Sequence, residues 1–344
     1  MYDKVAIVGG SVAGLVTALN IHQKLVEIIE EHKTVGFPFK CSGLINARLF
    51  ERLNIGRRTI QNKLCGTIVV SPSGKIIQFN LKEYIGYVIN RPEFEREILL
   101  KLGNNVKIYT SKKIGSPRQL KGYDLVIGAD GAFSTIRAVF GFPFLQYAYG
   151  VQYEIKCSQK WPKYVTIFID KSYTDYHVWN VPVDETRARV GLACEDIKSG
   201  FKRLDDFLLK KIGSFEIVNE MVGAIPVGYL EKITANDLAL VGDAAGQNRP
   251  LSGGGLNLAI KYGQLLGQAV DRDNLQEYEN VWRETDLQKN KREMKMLLEW
   301  KKLSNSQIEK AIENMPVPDF KESTFFTAIF KSIIEGAYKS EKIV

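Results

Sequence analysis

Three features of the sequence predict an α/β fold built on a parallel nucleotide-binding sheet. Residues 4–29 read strand, glycine turn, helix, strand. Two later apolar runs end in Gly-Ala-Asp-Gly and Gly-Asp-Ala-Ala-Gly, and four strand-like segments separated by turn residues lie between those runs. The first feature is a βαβ unit, whose parallel strands need helices on the faces of the sheet. The second is the signature of buried parallel strands delivering polar loops at their carboxyl ends, where ligands bind in such sheets.

Lys4–Val8 is the first strand, Ala13–Gln23 the helix and Leu25–Ile29 the second strand. Asp124–Ile127 and Leu238–Val241 are the two buried strands. Between them Val151–Ile155, Tyr164–Ile169, His177–Val181 and Ala188–Ala193 read as a mostly antiparallel sheet. Leu256–Val270 is helical, and Leu275–Leu303 holds long amphipathic stretches rich in Lys and Glu. The predicted division is a discontinuous nucleotide-binding domain (1–60, 84–145 and 235–275), an inserted β-sheet domain (61–83 and 146–234) and a helical region (276–344).

The 344 residues suffice for about two domains, and 45% hydrophobic with 25% charged residues excludes collagen-like, coiled-coil and disordered classes. The long uncharged stretch Ala138–Tyr153 contains two glycines, a proline and two glutamines, so it does not read as the roughly 20 apolar residues of a spanning helix. A charged pair followed by a strand opens the chain, which predicts a cytoplasmic protein. Cys41, Cys65, Cys157 and Cys194 are widely spaced and only three histidines are present, so neither a disulfide scaffold nor a metal site is expected. The 47 basic and 39 acidic residues leave a net charge of +8. That surplus fits an anionic ligand or lipid surface; no basic groove or recognition element points to nucleic acid.

Gly9-Gly10-Ser11-Val12-Ala13-Gly14 lies between the first strand and helix, the required context of a dinucleotide fingerprint. Gly9 permits the tight turn, Ser11 is small enough for close backbone approach, and Gly14 lets the helix pack on the strand. The helix amino terminus then presents free N–H groups to a pyrophosphate, Ala13 among the first residues of that helix. Glu30, directly after the second strand, is the expected ribose acid, with Glu31 as the alternative. Further on, Asp130 precedes a helix that it either caps or uses to face a ligand. Asp243 is placed to accept from a polyol hydroxyl. Gly253-Gly254-Gly255 brings backbone N–H groups to a ring edge, with the helix from Leu256 adding its positive end.

The fingerprint, Gly128-Ala129-Asp130-Gly131 through Ser134 and Arg137, and Gly242-Asp243 followed by Pro250-Leu251-Ser252-Gly253-Gly254-Gly255 occur in this order. They resemble the aromatic-hydroxylase superfamily of FAD proteins. Within it, the segment from Gly36 and Pro38 to Cys41, Ser42 and Gly43 is similar to the Gly-x-Pro-x-x-Cys-x-Gly loop of archaeal geranylgeranyl reductases. The likeness continues through Arg91, Phe94 and Glu95, where that family has Arg-x-x-Phe-Asp, and into 275–284 and 297–312. It implies FAD contacts at Ala13, Glu30, Cys41, Ser42, Arg91, Asp243, Gly255 and Leu256. Cys41 becomes the candidate for proton delivery or substrate positioning, the alternative being a small buried hydrophobe.

The same family carries a Tyr-x-Trp-x-Phe-Pro strand, matched here at Trp179 and Pro182 but departing at His177 and Val181. On a strand His177, Trp179 and Val181 share one face, where they line an apolar tunnel or pack the sheet core. The implied activity is reduction of isoprenoid double bonds of geranylgeranyl-type chains, with NAD(P)H or ferredoxin as donor. Flavin halogenases have a similar Trp-x-Trp-x-Ile-Pro segment, so an FAD monooxygenase or halogenase is the rival reading, and a prenyl-lipid carrier on the same fold is the non-enzymatic one. Phe325, Phe326, Ile329, Phe330, Ile333 and Ile334 recur at helical spacing among Lys321, Lys331 and Lys339. This stripe fits either peripheral membrane contact or core packing.

Overall fold

The computed structural model describes residues 2–80, 86–313, 315 and 325–341. In chain order the strands are β1 (Lys4–Val8), β2 (Leu25–Ile29), β3 (Leu44–Asn46), β4 (Ile60–Leu64), β5 (Gly66–Val70), β6 (Ile76–Asn80), β7 (Gly86–Ile89), β8 (Val106–Tyr109), β9 (Leu125–Gly128), β10 (Gln146–Lys156), β11 (Tyr164–Phe168), β12 (Val178–Pro182), β13 (Arg187–Cys194), β14 (Glu216–Val227), β15 (Thr234–Ala235) and β16 (Leu238–Leu240). The helices are α1 (Val12–Leu19), α2 (Ala47–Arg52), α3 (Arg91–Leu99), α4 (Thr135–Val139), α5 (Ile197–Lys211), α6 (Leu256–Asp271), α7 (Leu275–Glu284), α8 (Asp286–Lys302), α9 (Asn305–Glu313) and α10 (Phe325–Glu341).

Six strands form a sheet in the order β15-β16-β9-β1-β2-β8, parallel except for the β15–β16 hairpin. Val5, Ala6 and Ile7 of its central strand are fully buried, as covering both faces of a parallel sheet requires. A second sheet, β14-β10-β13-β12-β11-β5-β6, is antiparallel except where β11 joins β5. A third, β3-β7-β4, is small and antiparallel. It ties the turn after Cys41, which feeds β3, to the end of β7, which feeds Asn90 and Arg91.

α1 is shorter than the sequence suggests. It stops at Leu19 because the Asn20 amide bonds back to the Val16 carbonyl, and because the N–H groups of His22 and Gln23 turn to the Asp271 carboxylate on α6. α3 starts at Arg91 because the Asn90 side chain accepts from the Glu93 N–H and Pro92 stands in the first turn, where no N–H is needed.

Two apolar layers cover the seven-stranded sheet. On one face Leu204, Phe207 and Leu208 of α5 pack against Val151, Ile155, Val190 and Leu192. On the other, Leu297 and Trp300 of α8, Ile308 of α9 and Ile329, Phe330, Ile333 and Ile334 of α10 pack against Ile167, Val181 and Val183. The stripe expected to choose between membrane and core therefore faces the sheet. Lys321 and the side chains of Phe325 and Lys339 lie outside the described residues. Among the described residues no helix is long and apolar enough to cross a membrane.

Candidate active site

The β1–α1 turn is built as its glycines require. Gly9 has φ +108°, and a Cβ there would collide with the Ala129 carbonyl of the neighbouring β9 turn; a Cβ on Gly14 would collide with the Gly9 carbonyl. The helix amino terminus is thereby pressed onto the end of the strand. Glu30 closes the turn from the other side. Its Oε2 accepts from the Gly10 N–H at 2.7 Å, and its Oε1 accepts from the His32 N–H at 2.8 Å and lies 2.6 Å from His32 Nδ1. Glu31 is instead exposed and pairs with Lys113, so the structure favours Glu30 as the acid beside the turn.

Ser11 caps α1 without using its side chain on the helix. Its hydroxyl donates to Glu95 Oε1 at 3.1 Å and accepts from Arg91 Nη2 at 3.4 Å, while Arg91 and Glu95 pair with each other. Arg91 Nε and Glu95 Oε2 are buried without a partner. Burial pulls the Arg91 guanidinium down, but Glu95 and Cys41 outweigh it and leave it more firmly charged than a free arginine. Cys41 thus stands beside the Arg91–Glu95 pair, half-buried, its Sγ also accepting from the Gly43 N–H at 3.4 Å.

Asp243 and Gly255 meet on the opposite wall, since a Cβ on Gly255 would come within 2.8 Å of Asp243 Oδ1. Burial pushes the Asp243 carboxyl up to about 6, with Arg91 and Arg137 opposing the shift. Arg91 is therefore close enough to be felt from this wall. Leu256 starts α6 with Gly255 as its cap, so the helix amino end opens directly behind Asp243, and Gly254 stands in the same approach, its N–H on the Ser252 hydroxyl at 3.3 Å.

Asp130 is used differently. One oxygen accepts from the Ser134 hydroxyl at 2.5 Å and so braces the residue that caps α4, and the other accepts from the Ile136 N–H in its first turn at 3.0 Å. Arg137, from the same motif, is buried and donates to the carbonyls of Ala244 at 3.0 Å and Ala132 at 2.6 Å and to the Tyr147 hydroxyl at 2.9 Å. It ties the turn that carries Asp243 to the turn after β9.

Trp179 lies against the floor of the site. Its indole sits over Gly191, where a Cβ would be 2.6 Å from Cζ2, and near Gly150, while Nε1 donates to Gln152 at 2.8 Å. Gly150 and Gly223 are cross-strand partners; Gly223 faces Lys40, and Ile225 lies under both Gly150 and Gly253. The indole therefore shares a glycine-floored surface with the Cys41 loop and the Gly253–Gly255 loop. His177 is just before the strand and buried, its ring tilted against Phe326 at 4.7 Å and edge-on to Phe330 of α10 at 5.8 Å between centroids, with Nδ1 unpartnered. Val181 is sealed in the apolar core and the Pro182 carbonyl accepts from Asn62. Those two residues pack the sheet and are not brought to the loops.

One residue at the centre of this arrangement escaped the sequence reading. Arg189 of β13 is buried and donates to Glu154 at 3.0 Å, the Ser42 carbonyl at 2.8 Å, Gln61 at 2.9 Å and the Ile89 carbonyl at 3.4 Å. One guanidinium fixes both the Cys41–Gly43 turn and the end of β7 that delivers Arg91. The available signal was a charge inside each of two apolar strands, at positions 154 and 189, which face each other across β10 and β13.

No family model matches the chain. It is 29% identical to the digeranylgeranylglycerophospholipid reductase of Methanosarcina acetivorans, over 83% of this chain and 81% of that protein. The chain resembles the archaeal geranylgeranyl reductases. Its fold agrees with that resemblance: a geranylgeranyl bacteriochlorophyll reductase-like protein from Thermoplasma acidophilum superposes with a TM-score of 0.84 at 22% identity, covering 100% of this chain and 99% of the other. A flavin-dependent halogenase, CmlS, superposes with a TM-score of 0.64 at 16% identity over 100% of this chain and 70% of that one.

Proposed function

We propose that this chain is an FAD-dependent reductase that saturates isoprenoid double bonds in geranylgeranyl-type lipid chains. The observation that carries the reading is the convergence of the α1 amino terminus, the Cys41 loop, Arg91 and the Asp243–Gly255 wall, beside Trp179 on its glycines. The residues fit FAD. Arg91 Nε is a buried donor with no partner, and Gly255 leaves beside Asp243 a hollow that any Cβ would fill.

In this reading the free N–H groups at Ser11–Ala13 hold the pyrophosphate and Glu30 the adenosine ribose. Asp243 accepts from the ribityl chain, and Ser42, Gly254, Gly255 and Leu256 border the ring. Bound there in reduced form, FAD supplies a hydride equivalent to the double bond. Trp179 and the glycine floor hold the apolar chain and exclude water, with His177 further along the same face. Cys41, the thiol beside Arg91, holds the proton or orients the chain. The nucleotide-binding and sheet domains divide as 1–60, 84–145 and 235–275 against 61–83 and 146–234, with 276–344 as the helical region; β4, within 61–83, pairs with the small sheet, and α7 packs with the nucleotide-binding core while α8, α9 and α10 pack on the seven-stranded sheet.

The test is anaerobic incubation of the dithionite-reduced holoprotein with a digeranylgeranyl lipid, read by mass spectrometry. Products heavier by pairs of hydrogens are expected, and an unchanged chain refutes the reading. The halogenase-like fold is the ground for the second reading. Oxygen consumption by the reduced protein that rises with an aromatic substrate would favour it. Replacing dithionite with NAD(P)H or reduced ferredoxin identifies the donor.

A further inference from the structure

Phe133 and Phe144 are 60% and 76% exposed, and Val139 and Pro143 between them are exposed as well. Single exposed apolar side chains are ordinary, but several on one structural platform mark a contact surface. The platform here is Tyr147. Phe133 meets its ring edge-on at 4.8 Å and Phe144 at 5.3 Å. The Tyr147 hydroxyl accepts from Arg137, which also holds the Ala132 and Ala244 carbonyls. The two phenylalanines therefore stand on a braced tyrosine, in the turns before and after α4, and nothing among the described residues covers them.

The surface is also uncharged. From 131 to 153 the only charged side chain is Arg137, and it is buried. Beside this stretch, Leu145 packs on Gly228 and Gly246 next to Tyr229. The chain as a whole is +8.

We propose that Phe133, Phe144 and Val139 form the surface by which this chain sits on an anionic lipid bilayer, a proposal that draws on the lipid-reductase reading for its occupant. Aromatic rings at turn tips partition into the headgroup–acyl boundary, and a basic protein is drawn to an anionic surface. The tail stripe cannot serve, because Ile329, Phe330 and Ile333 are buried against the sheet. Through Arg137 the proposed bilayer-facing turns are fixed to the turn carrying Asp243.

The test is co-sedimentation of the full chain with phosphatidylglycerol/phosphatidylcholine vesicles containing no substrate. The comparison is between wild type, Phe133→Ser/Phe144→Ser and Leu298→Ser, the last altering an exposed leucine on α8. Wild type and Leu298→Ser are expected to sediment alike, and the double variant to partition at least about tenfold more weakly. The double variant should keep wild-type turnover on detergent-dispersed substrate and lose it on vesicle-embedded substrate.

Failure of wild type to bind, or equal binding by the double variant, overturns the proposal. So does a concentration-dependent dimer in sedimentation velocity that the double variant abolishes, since the surface would then belong to a second copy. Vesicle binding without lipid reduction sinks the reductase reading alone. Detergent-phase reduction without vesicle binding sinks only the surface.

Discussion

Acid should destabilise this chain through His177. The imidazole is 4% exposed, its neighbours are the rings of Phe326, Phe330 and Trp179, and Nδ1 has no hydrogen bond. Burial lowers its pKa from 6.5 to about 3. The unfolded chain binds the proton below pH 6.5 and the folded chain does not until far lower. The stabilisation present above pH 6.5 is therefore lost as the pH falls toward 3. At pH 5 the gap is about 1.5 units, which at 1.36 kcal/mol per unit is about 2 kcal/mol. Urea unfolding of the cofactor-free protein at pH 7.5 and pH 5, followed by tryptophan fluorescence, measures it against His177→Phe. Phenylalanine removes the orphaned nitrogen and suits the aromatic cluster, so the variant should be at least as stable at pH 7.5 and lose about 2 kcal/mol less on acidification. Identical pH dependence in the two proteins would refute the reasoning.

Arg189→Gln leaves the buried Glu154 with only Arg187, 3.3 Å away, as its ionic partner among the described residues and should cost about 2–3 kcal/mol, part of it recovered in Arg189→Gln/Glu154→Gln; a double-mutant cycle without coupling of at least about 1 kcal/mol contradicts the assigned bridge. If Arg189 also positions the Cys41 turn, Arg189→Lys should shift the absorbance maxima of the proposed flavin while retaining it, which a purely structural arginine would not do. Gly14→Ala forces a methyl into the Gly9 carbonyl and should cost more than about 3 kcal/mol or prevent soluble expression, measured by yield and thermal unfolding. Asp243, raised to about 6, stabilises the cofactor-free fold less as the pH rises through 6. Asp243→Asn should therefore gain about 1–3 kcal/mol over wild type at pH 8 and nothing at pH 4, and an equal gap at both values refutes the burial argument.

The six-stranded sheet was legible because its strands are local: β1 and the runs ending in Asp130 and Asp243 are apolar on both faces, β2 is broken only by Glu27, and glycine chemistry marks the turns between them. β14 was not read, since its first five residues are exposed and Gly223 and Pro226 interrupt the apolar pattern, one on each face. An edge strand has only one partner, and its pattern makes sense only once β10 is beside it. The three-stranded sheet was equally hidden, because β3, β4 and β7 are short and pair across intervals no local pattern spans. α5 carries a readable stripe in Leu204, Phe207 and Leu208, yet it lay outside the segments assigned from sequence. In α10 the period was right and the destination open, because helical spacing specifies an apolar face without specifying what covers it.

The candidate site is organised by the strand period of two. Along β10, Val151, Tyr153 and Ile155 face α5 and are sealed in its apolar layer, while Gly150, Gln152 and Glu154 take the opposite face. β13 repeats the division, with Val190 and Leu192 against α5 and Arg189 and Gly191 on the other side. Register aligns the small and polar set: Glu154 opposes Arg189, Gln152 opposes Gly191, and Gly150 opposes Gly223 on β14. The charged pair therefore lies at one end of this face, beneath the Cys41 turn, and the glycines beside it make the bed for Trp179. A large side chain at Gly191 would lift the indole, and a neutral one at 189 would release the turn above it. The same alternation that makes the sheet stable on its α5 side thus sets, on the other, both the height of the floor and the position of the loop.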